Sequence, residues 1–229
     1  IQRTYDQLAQ DLCINANPAV INVMGGGIRS MNDITHICLF DIPMLCSIPG
    51  LIYLAPTTCE EYFAMLAWAI RQDRKPIALR VPTGGVVHSD APVDEDYGYR
   101  ASYRVAHRGS TVAIIAAGSF YQKGEAVRAL LAEQGIDATL VNPRYLNEVD
   151  AETLDSLKTD HRLVVTLEDG CRDGGFGERI AAYYGTSDMK VMVGGVKKGL
   201  YDRYDAQQLM ADNRLLDTQI VEDIVRVIG

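Results

Sequence analysis

The sequence lacks a long apolar run. A membrane-spanning helix needs about 20 apolar residues, and the longest uncharged stretch, between Asp41 and Glu60, is interrupted by proline, serine, threonine and glycine. The first residues, Ile1 to Asp6, also lack the pattern of a signal peptide. With 48% hydrophobic and 23% charged residues, the composition is that of an ordinary globular protein. We therefore expect no membrane partner.

Basic residues are too few for a general nucleic-acid-binding protein. The 22 lysines and arginines face 30 aspartates and glutamates, which leaves a formal net charge of -8. Aromatic residues, at 7%, are also sparse. A nucleic-acid-binding domain would show a basic stripe instead, so we expect no nucleic-acid partner.

Cysteines are few, and their number is odd. The sequence has no CxxC motif, and its 5 cysteines are Cys13, Cys38, Cys46, Cys59 and Cys171. This pattern argues against a disulfide framework and against a zinc knuckle. It favours reduced thiols in a cytoplasmic protein.

The first residues have the spacing of a helix. Ile1, Tyr5, Leu8 and Leu12 recur at helical intervals, which predicts a helix from about Arg3 to Cys13. A natural N-terminus more often begins with a helix cap or a disordered lead. We therefore expect the chain to begin part-way through a domain.

Apolar runs of strand length alternate with helix-like segments along the chain. In the first part, the pattern predicts strands at 19–23, 50–54 and 76–81, and a helix at 59–71 that buries Phe63, Leu66, Ala67 and Ile70. In the second part, it predicts strands at 112–116, 138–141, 163–167 and 190–193, and helices at 123–134, 150–158, 178–184 and from Asp217 onward. Strands joined by helical crossovers form parallel sheets.

The predicted fold class is α/β, with two parallel-sheet α/β units. The alternation stops between about Thr83 and Arg108, in a polar, tyrosine-rich passage that is typical of a boundary. We therefore predict a first unit at 1–90, a linker at 91–107 and a second unit at 108–229.

A polar string follows the first predicted strand, from Arg29 to His36. Open α/β sheets bind ligands beyond the carboxyl ends of their strands. A histidine beside Asp33 and the hydroxyl of Thr35 can exchange protons near neutral pH. The sequence makes His36 a candidate catalytic residue, and the alternative is a loop histidine that binds a backbone carbonyl.

Two glycine-rich turns and three other histidines have simpler interpretations. Turn 25–27 could approach a phosphate through its N–H groups, but it lacks a GxGxxG pattern, and a flexible turn is favoured. Turn 174–177 precedes a helix, yet the nearby carboxylates would repel an anion, which favours a structural turn. We expect His88, His107 and His161 to be solvated surface residues.

Several short motifs, in a fixed order, resemble the transketolase superfamily. Residues 2–7 (QRTYDQ), 33–36 (DITH), 40–41 (FD) and 48–56 resemble its pyrimidine-binding domain, most closely in the 1-deoxy-D-xylulose-5-phosphate synthases. Residues 109–114, 141–144 and 166–177 are similar to its C-terminal domain. The resemblance implies a partial pyrimidine-binding domain followed by a transketolase C-terminal domain.

The resemblance also implies a cofactor and a set of site residues. Enzymes of this superfamily use thiamine diphosphate and Mg²⁺ to transfer a carbanion equivalent from a ketose or 2-oxo acid donor to an aldehyde. His36 matches the family histidine that meets the substrate, and Arg3 matches an arginine suited to a carboxylate or phosphate. Asn32 falls at the position of a family aspartate, with Asp33 next to it, and both are candidate substrate-binding residues.

The resemblance implies that part of the family's cofactor-binding site lies outside this chain. The cofactor contacts, including the diphosphate and Mg²⁺ site, lie mostly before the position matching Ile1, so the resemblance implies a missing N-terminal domain or subunit and a homodimer. Two family arginines fall on Gly25 and Thr83, which weakens phosphate binding unless Arg29 compensates. Two alternatives stay open: a β-type subunit of a 2-oxo acid dehydrogenase, and a non-catalytic assembly module.

Overall fold

The computed structural model describes residues 1–28, 33–81 and 87–229. The chain opens with a 3₁₀ turn at Gln2–Thr4 and a π-helix at Gln7–Ile14, where the sequence predicts one ordinary helix. In the described residues, no helix is both long enough and apolar enough to cross a membrane.

The first unit is a small parallel sheet with helices against it. Its strands are β1 (Ala19–Val23), β2 (Ile52–Leu54) and β3 (Pro76–Arg80), in the order β1-β3-β2. Helix α1 (Asp41–Cys46) precedes β2, and helix α2 (Cys59–Arg71) joins β2 to β3. Every residue of β3 is buried, which suits the central strand of a covered parallel sheet.

Helix α2 has the predicted ends but buries a different face. The Thr58 hydroxyl caps it by accepting from the Glu61 N–H. Phe63 and Ile70, predicted to be buried, are 59% and 67% exposed, and of the other two predicted residues Ala67 is exposed and Leu66 only half-buried. The helix instead buries Glu61, Met65, Trp68 and Ala69.

The prediction was wrong because a buried carboxylate sets the rotation of this helix. Glu61 accepts hydrogen bonds from the N–H and hydroxyl of Thr57 and from the side-chain amide of Asn142, at 2.7 to 2.9 Å. A buried charge needs such partners. The face that carries Glu61 therefore turns inward, and the face with Phe63 and Ile70 turns to solvent.

The second unit is a five-stranded sheet in the order β4-β6-β5-β7-β8. Its strands are β4 (Arg104–His107), β5 (Thr111–Ala116), β6 (Thr139–Asn142), β7 (His161–Cys171) and β8 (Lys190–Val196). All neighbouring pairs are parallel except β4 with β6, and β4 lies inside the predicted linker. A 3₁₀ turn at Gly118–Phe120 and five helices complete the unit: α3 (Tyr121–Glu133), α4 (Ala151–Leu157), α5 (Phe176–Tyr184), α6 (Ala206–Asp212) and α7 (Asp217–Ile228).

One hydrophobic core runs through both units. It joins Tyr53 and Leu54 of β2 to Val141 of β6 and Phe176 of α5. A short antiparallel bridge between Leu54 and Tyr145 continues the contact in the backbone. The two units are therefore packed together along the edge where β2 ends.

His161 is not the surface residue that the sequence predicts. It begins β7, its side chain is fully buried, and its Nε2 lies 2.8 Å from the Thr139 hydroxyl of β6. Burial lowers the pKa of this imidazole. The prediction failed because β7 starts at His161, two residues before the apolar run that marks it in the sequence. His88 is exposed and His107 partly so.

Candidate functional site

The loop that carries His36 connects β1 to α1 and is anchored on the second unit. The Ile28 N–H donates to the Asp169 carbonyl at 3.0 Å, and the Cys171 N–H donates to the Leu39 carbonyl at 2.7 Å. Asp169 and Cys171 lie at the end of β7, which is still paired with β8 at Cys171, and they bind both ends of this loop. The candidate site lies where the two units meet.

The segment after β8 also contacts this loop. The Asp202 carboxylate accepts the Ile34 N–H at 3.2 Å, two residues before His36. The Tyr204 hydroxyl donates to the Ile28 carbonyl at 2.8 Å. Backbone groups of the loop are thus bound by side chains that are more than 160 residues away in sequence.

Asp33, Thr35 and His36 form a short hydrogen-bonded chain. The Thr35 hydroxyl donates to Asp33 Oδ1 at 2.6 Å, and the Thr35 N–H donates to the same oxygen at 2.8 Å. His36 Nδ1 lies 2.8 Å from the Thr35 hydroxyl oxygen and 3.8 Å from Asp33 Oδ1. Because the single hydroxyl proton of Thr35 is given to Asp33, Nδ1 of His36 is the donor to Thr35.

Among the described residues, none forms a hydrogen bond with the other ring nitrogen of His36, Nε2. With Nδ1 protonated, Nε2 of the neutral ring carries a lone pair and can accept a proton. The side chains of His36 and Asp33 are 62% and 56% exposed. The hydrogen bonds from Thr35 lower the pKa of Asp33, so this carboxylate stays charged beside the imidazole. The arrangement can take up or release a proton at an exposed position.

The predicted site residues are only partly brought together. Asp33 and His36 are neighbours, as described. Arg3 lies exposed on the first 3₁₀ turn, and no hydrogen bond or ion pair joins it to Asp33 or His36 in the part of the chain that the structure describes. Asn32, like Arg29 and Thr83, lies outside the described residues.

Arg80, Asp41 and Asp169 form a buried ion cluster next to the loop that carries His36. Arg80, the last residue of β3, donates to both oxygens of Asp41 at 2.7 and 3.2 Å and to Oδ1 of Asp169. The Tyr53 hydroxyl donates to Asp41 at 2.6 Å, and the Ser119 hydroxyl donates to Asp169 at 2.5 Å. One guanidinium therefore links α1 and β3 of the first unit to β7 of the second.

The predicted flexible turn at 25–27 is fitted tightly around this cluster. A Cβ on Gly27 would lie 2.1 Å from the Asp169 carboxylate, and Gly27 has a left-handed φ of +97°. A Cβ on Gly26 would lie 2.9 Å from the Arg80 guanidinium. The Gly27 N–H donates to the Cys38 carbonyl. The side chains of Arg80 and Asp169 fill the space beside these two glycines. Within the described residues, the turn therefore forms no phosphate-binding site.

The second glycine-rich turn is filled by the carboxyl group of Glu168. Glu168 is fully buried and accepts the N–H groups of Phe176 and Gly177 at 3.1 and 2.8 Å, at the start of α5. A Cβ on Gly175 would lie 2.6 Å from Glu168. Burial raises the pKa of Glu168 to about 8. This geometry agrees with the structural turn that the sequence predicts.

Asp41, Arg80 and Asp169 are the residues that sequence reasoning missed. A signal was present, because Arg80 and the pair Glu168–Asp169 each come directly after a run of apolar residues. Charged residues are almost never buried without a partner. Charges at the ends of apolar strands therefore point to a buried pairing, although the sequence does not say which residues pair.

The described residues do not fit the diphosphate and Mg²⁺ that the resemblance implies. The N–H groups of turn 174–177 are used by Glu168 and Glu178, and turn 25–27 is closed by Arg80 and Asp169. In the described part of the chain, one group of side chains could hold a metal, and it contains a cysteine, which is unsuited to Mg²⁺. The residues that the structure describes therefore provide no diphosphate site.

Two family models match nearly the whole chain. The model described as "Transketolase, pyrimidine binding domain" matches residues 1–86. The model described as "Transketolase, C-terminal domain" matches residues 101–212. The boundary between the two matches lies in the passage where the sequence alternation stops.

Curated relatives share about a third of their residues with this chain. A protein of Clostridium acetobutylicum named 1-deoxy-D-xylulose-5-phosphate synthase is 34% identical over 207 residues, covering 89% of this chain and 32% of the relative. One of Crocosphaera subtropica with the same name is 33% identical over 229 residues, covering 98% and 36%. The chain thus spans about a third of the length of these relatives.

Solved structures share the fold. A chain titled "Split gene transketolase, inactive beta4 tetramer" superposes with a TM-score of 0.85 at 20% identity, covering 99% of this chain and 72% of that one. A transketolase of Pichia stipitis, titled as a complex with a sedoheptulose 7-phosphate ligand, gives a TM-score of 0.70 at 15% identity, covering 94% and 31%. At these identities the likeness concerns the fold alone.

Proposed function

The chain belongs to the transketolase family, and from this we propose that it is the C-terminal part of a thiamine-diphosphate-dependent transferase. The complete enzyme transfers a ketol or acyl carbanion equivalent from a ketose or 2-oxo acid donor to an aldehyde. The name shared by the curated relatives supports a reaction of the 1-deoxy-D-xylulose-5-phosphate synthase type, which belongs to isoprenoid biosynthesis. The observation that carries the proposal is the exposed His36, held on a loop that both units anchor.

In this proposal His36 handles a proton on the substrate. Its Nε2 accepts a proton from a substrate hydroxyl, or returns one, while Thr35 holds Nδ1 and Asp33 stabilises the charged imidazolium. The bound cofactor supplies the carbanion chemistry. Asp33 and Asn32 orient the hydroxyl groups of the substrate, and Arg3 binds its carboxylate or phosphate.

The cofactor's diphosphate and Mg²⁺ are bound elsewhere in the complete enzyme, by an N-terminal domain or a separate subunit. The occupied glycine turns of this chain support that assignment. The split transketolase structure that shares this fold is titled as an inactive tetramer. We propose that this chain alone is likewise inactive and that the complete enzyme is a homodimer with respect to this chain.

The loss of two family arginines affects how the acceptor aldehyde's phosphate group would be bound. By the resemblance, Gly25 and Thr83 fall where the synthases carry arginines. A charge-assisted hydrogen bond contributes about 1.5–3 kcal/mol. We therefore propose that the acceptor aldehyde need not be a phosphate ester.

All cysteines carry free thiols, which supports a cytoplasmic enzyme.

The test uses the complete enzyme, assembled from this chain and the polypeptide that carries the cofactor domain. His36→Ala should lower kcat for donor and acceptor turnover by about 10²–10⁴-fold, as expected for loss of a general acid or base. His107→Ala is the matched control, because His107 is also a partly exposed histidine, with Nε2 2.6 Å from the Asp137 carboxylate. Turnover of the His36 variant near that of the control would refute the proposed role.

Activity assays on the same complete enzyme distinguish the proposed transferase from the two alternatives. A β-type subunit of a 2-oxo acid dehydrogenase would support acylation of a lipoyl domain, whereas the proposed transferase would accept an aldehyde. A non-catalytic assembly module would leave kcat unchanged in every His36 variant. The names of the relatives favour the transferase.

A further inference from the structure

A cysteine, a glutamate and a histidine meet at the start of α2. Cys59 and Glu60 are the first residues of α2, and His88 lies on the chain that follows β3. Their ligand atoms all lie within 4.8 Å of one another. His88 Nδ1 is 2.7 Å from Glu60 Oε1. The side chains of His88 and Glu60 are 71% and 36% exposed, so a solvated ion can reach them.

Backbone hydrogen bonds hold the two segments together before any ion binds. The Cys59 N–H donates to the Val87 carbonyl at 2.9 Å, and the Ser89 N–H donates to Glu60 Oε2 at 3.0 Å. His88 lies between these two anchored residues. The three donor groups are therefore already gathered, which lowers the entropic cost of binding.

The donor set selects the class of ion. A thiolate, an imidazole nitrogen and a carboxylate oxygen are the ligands of Zn²⁺, which takes four in a tetrahedron. Mg²⁺ requires oxygen ligands in an octahedron and would not use the thiol. A thiolate and a carboxylate together balance a divalent charge, which offsets the unfavourable dipole at a helix N-terminus.

We propose that Cys59, Glu60 and His88 form a binding site for Zn²⁺ or a similar transition-metal ion. The fourth position is open to water. The ion ties the start of α2 to the chain that follows β3. Both elements lie at the carboxyl edge of the first sheet, the same edge from which the His36 loop departs.

Cobalt provides a direct test with the purified full chain. Co²⁺ bound to a thiolate gives a charge-transfer absorption in the near ultraviolet, and titration with Zn²⁺ should abolish it by displacement. Cys59→Ser should remove this band while leaving the circular dichroism of the chain unchanged. His88→Ala should weaken Zn²⁺ binding by at least about 10–100-fold, the range caused by loss of a supporting partner alone.

Two controls keep the outcome clear. His107→Ala removes a histidine that is paired with a carboxylate but has no neighbouring thiol, and it should leave metal binding unchanged. Cys13→Ser removes another half-buried thiol and should leave the cobalt band intact. A cobalt band that survives Cys59→Ser, or a wild-type chain that shows none, would overturn the proposal.

Discussion

Arg80 and Asp169 form an ion pair across the boundary between the two units, although 89 residues separate them in sequence. Their side chains are only 5% and 4% exposed. Arg80 is shared with Asp41, and the two carboxylates with one guanidinium would leave a net negative charge. The raised pKa of the adjacent Glu168 keeps a further negative charge out of this region.

Removal of Arg80 should destabilise the chain strongly. Arg80→Met leaves Asp41 and Asp169 buried without their cation, and breaking a buried pair costs about 3–5 kcal/mol. The measurement is the free energy of unfolding from urea titration. Arg108→Met is the control, because Arg108 and its partner Asp160 are 42% and 41% exposed, and such pairs contribute about 0–1 kcal/mol. Equal effects of the two substitutions would contradict the role assigned to Arg80.

Gly27 should be intolerant of any side chain for two reasons that can be separated. Gly27→Ala places a Cβ in the left-handed region and also against the Asp169 carboxylate. Gly135→Ala meets nothing within 4 Å and has a similar φ of +77°. The Gly135 variant should lose about 1–2 kcal/mol, the cost of the left-handed conformation alone, and the Gly27 variant clearly more. Thermal unfolding of both variants measures the difference, and equal losses would show that Asp169 moves aside freely.

Glu168 should make stability fall as pH rises. Burial raises its pKa from 4.5 to about 8, so the unfolded chain releases the proton across this range while the folded chain retains it. The stabilisation is complete at pH values below the unfolded pKa and is lost as pH rises through the folded pKa. The slope approaches about 1.4 kcal/mol per pH unit.

Glu168→Gln tests this pH dependence. The variant cannot titrate at this position, so its free energy of unfolding should vary less between pH 5 and 8, a window set by the two pKa values. Its absolute stability is not the readout, because the amide nitrogen must face one of the N–H groups that Glu168 now accepts. Parallel pH profiles for the variant and the wild type would contradict the raised pKa.

The rotation of α2 predicts opposite results for two apolar residues on one helix. Met65→Ala removes a fully buried side chain and should cost about 2–5 kcal/mol. Ile70→Ala removes one that is 67% exposed and should change the free energy of unfolding by about 0.5 kcal/mol or less. Urea titration distinguishes the two. A large loss at Ile70 would instead support the inward face that the sequence pattern suggests.

Elements with local signals could be predicted from the sequence. Strand β1 has the predicted ends because a short apolar run stops at glycines, and α2 has the predicted ends because Thr58 caps it and Pro76 starts the next strand. Other features depend on distant partners. Strand β7 continues through Glu168 to Cys171, which are not an apolar run, because β8 and the His36 loop supply their hydrogen bonds.

The candidate site shows the same division. Asp33, Thr35 and His36 are adjacent in sequence, so their hydrogen bonds could be expected from their spacing. The supports of the loop, Asp202 and Tyr204, could not, because the chain reaches them only after the whole second sheet. Helix α1 was also missed, since Pro43 lies within it.

The reach of β7 into the first unit limits how such chains can be recombined. A hybrid that takes its first unit from this protein and its second unit from a relative would contain Arg80 and Gly27 but not the Asp169 that packs against both. Unless the donor also carries a short acidic side chain at the position of Asp169, Arg80 would keep Asp41 but lose its second buried carboxylate partner. When units from different members of this family are combined, the residues that pack across the boundary between the two units must therefore be compatible, and not only the linker that joins them.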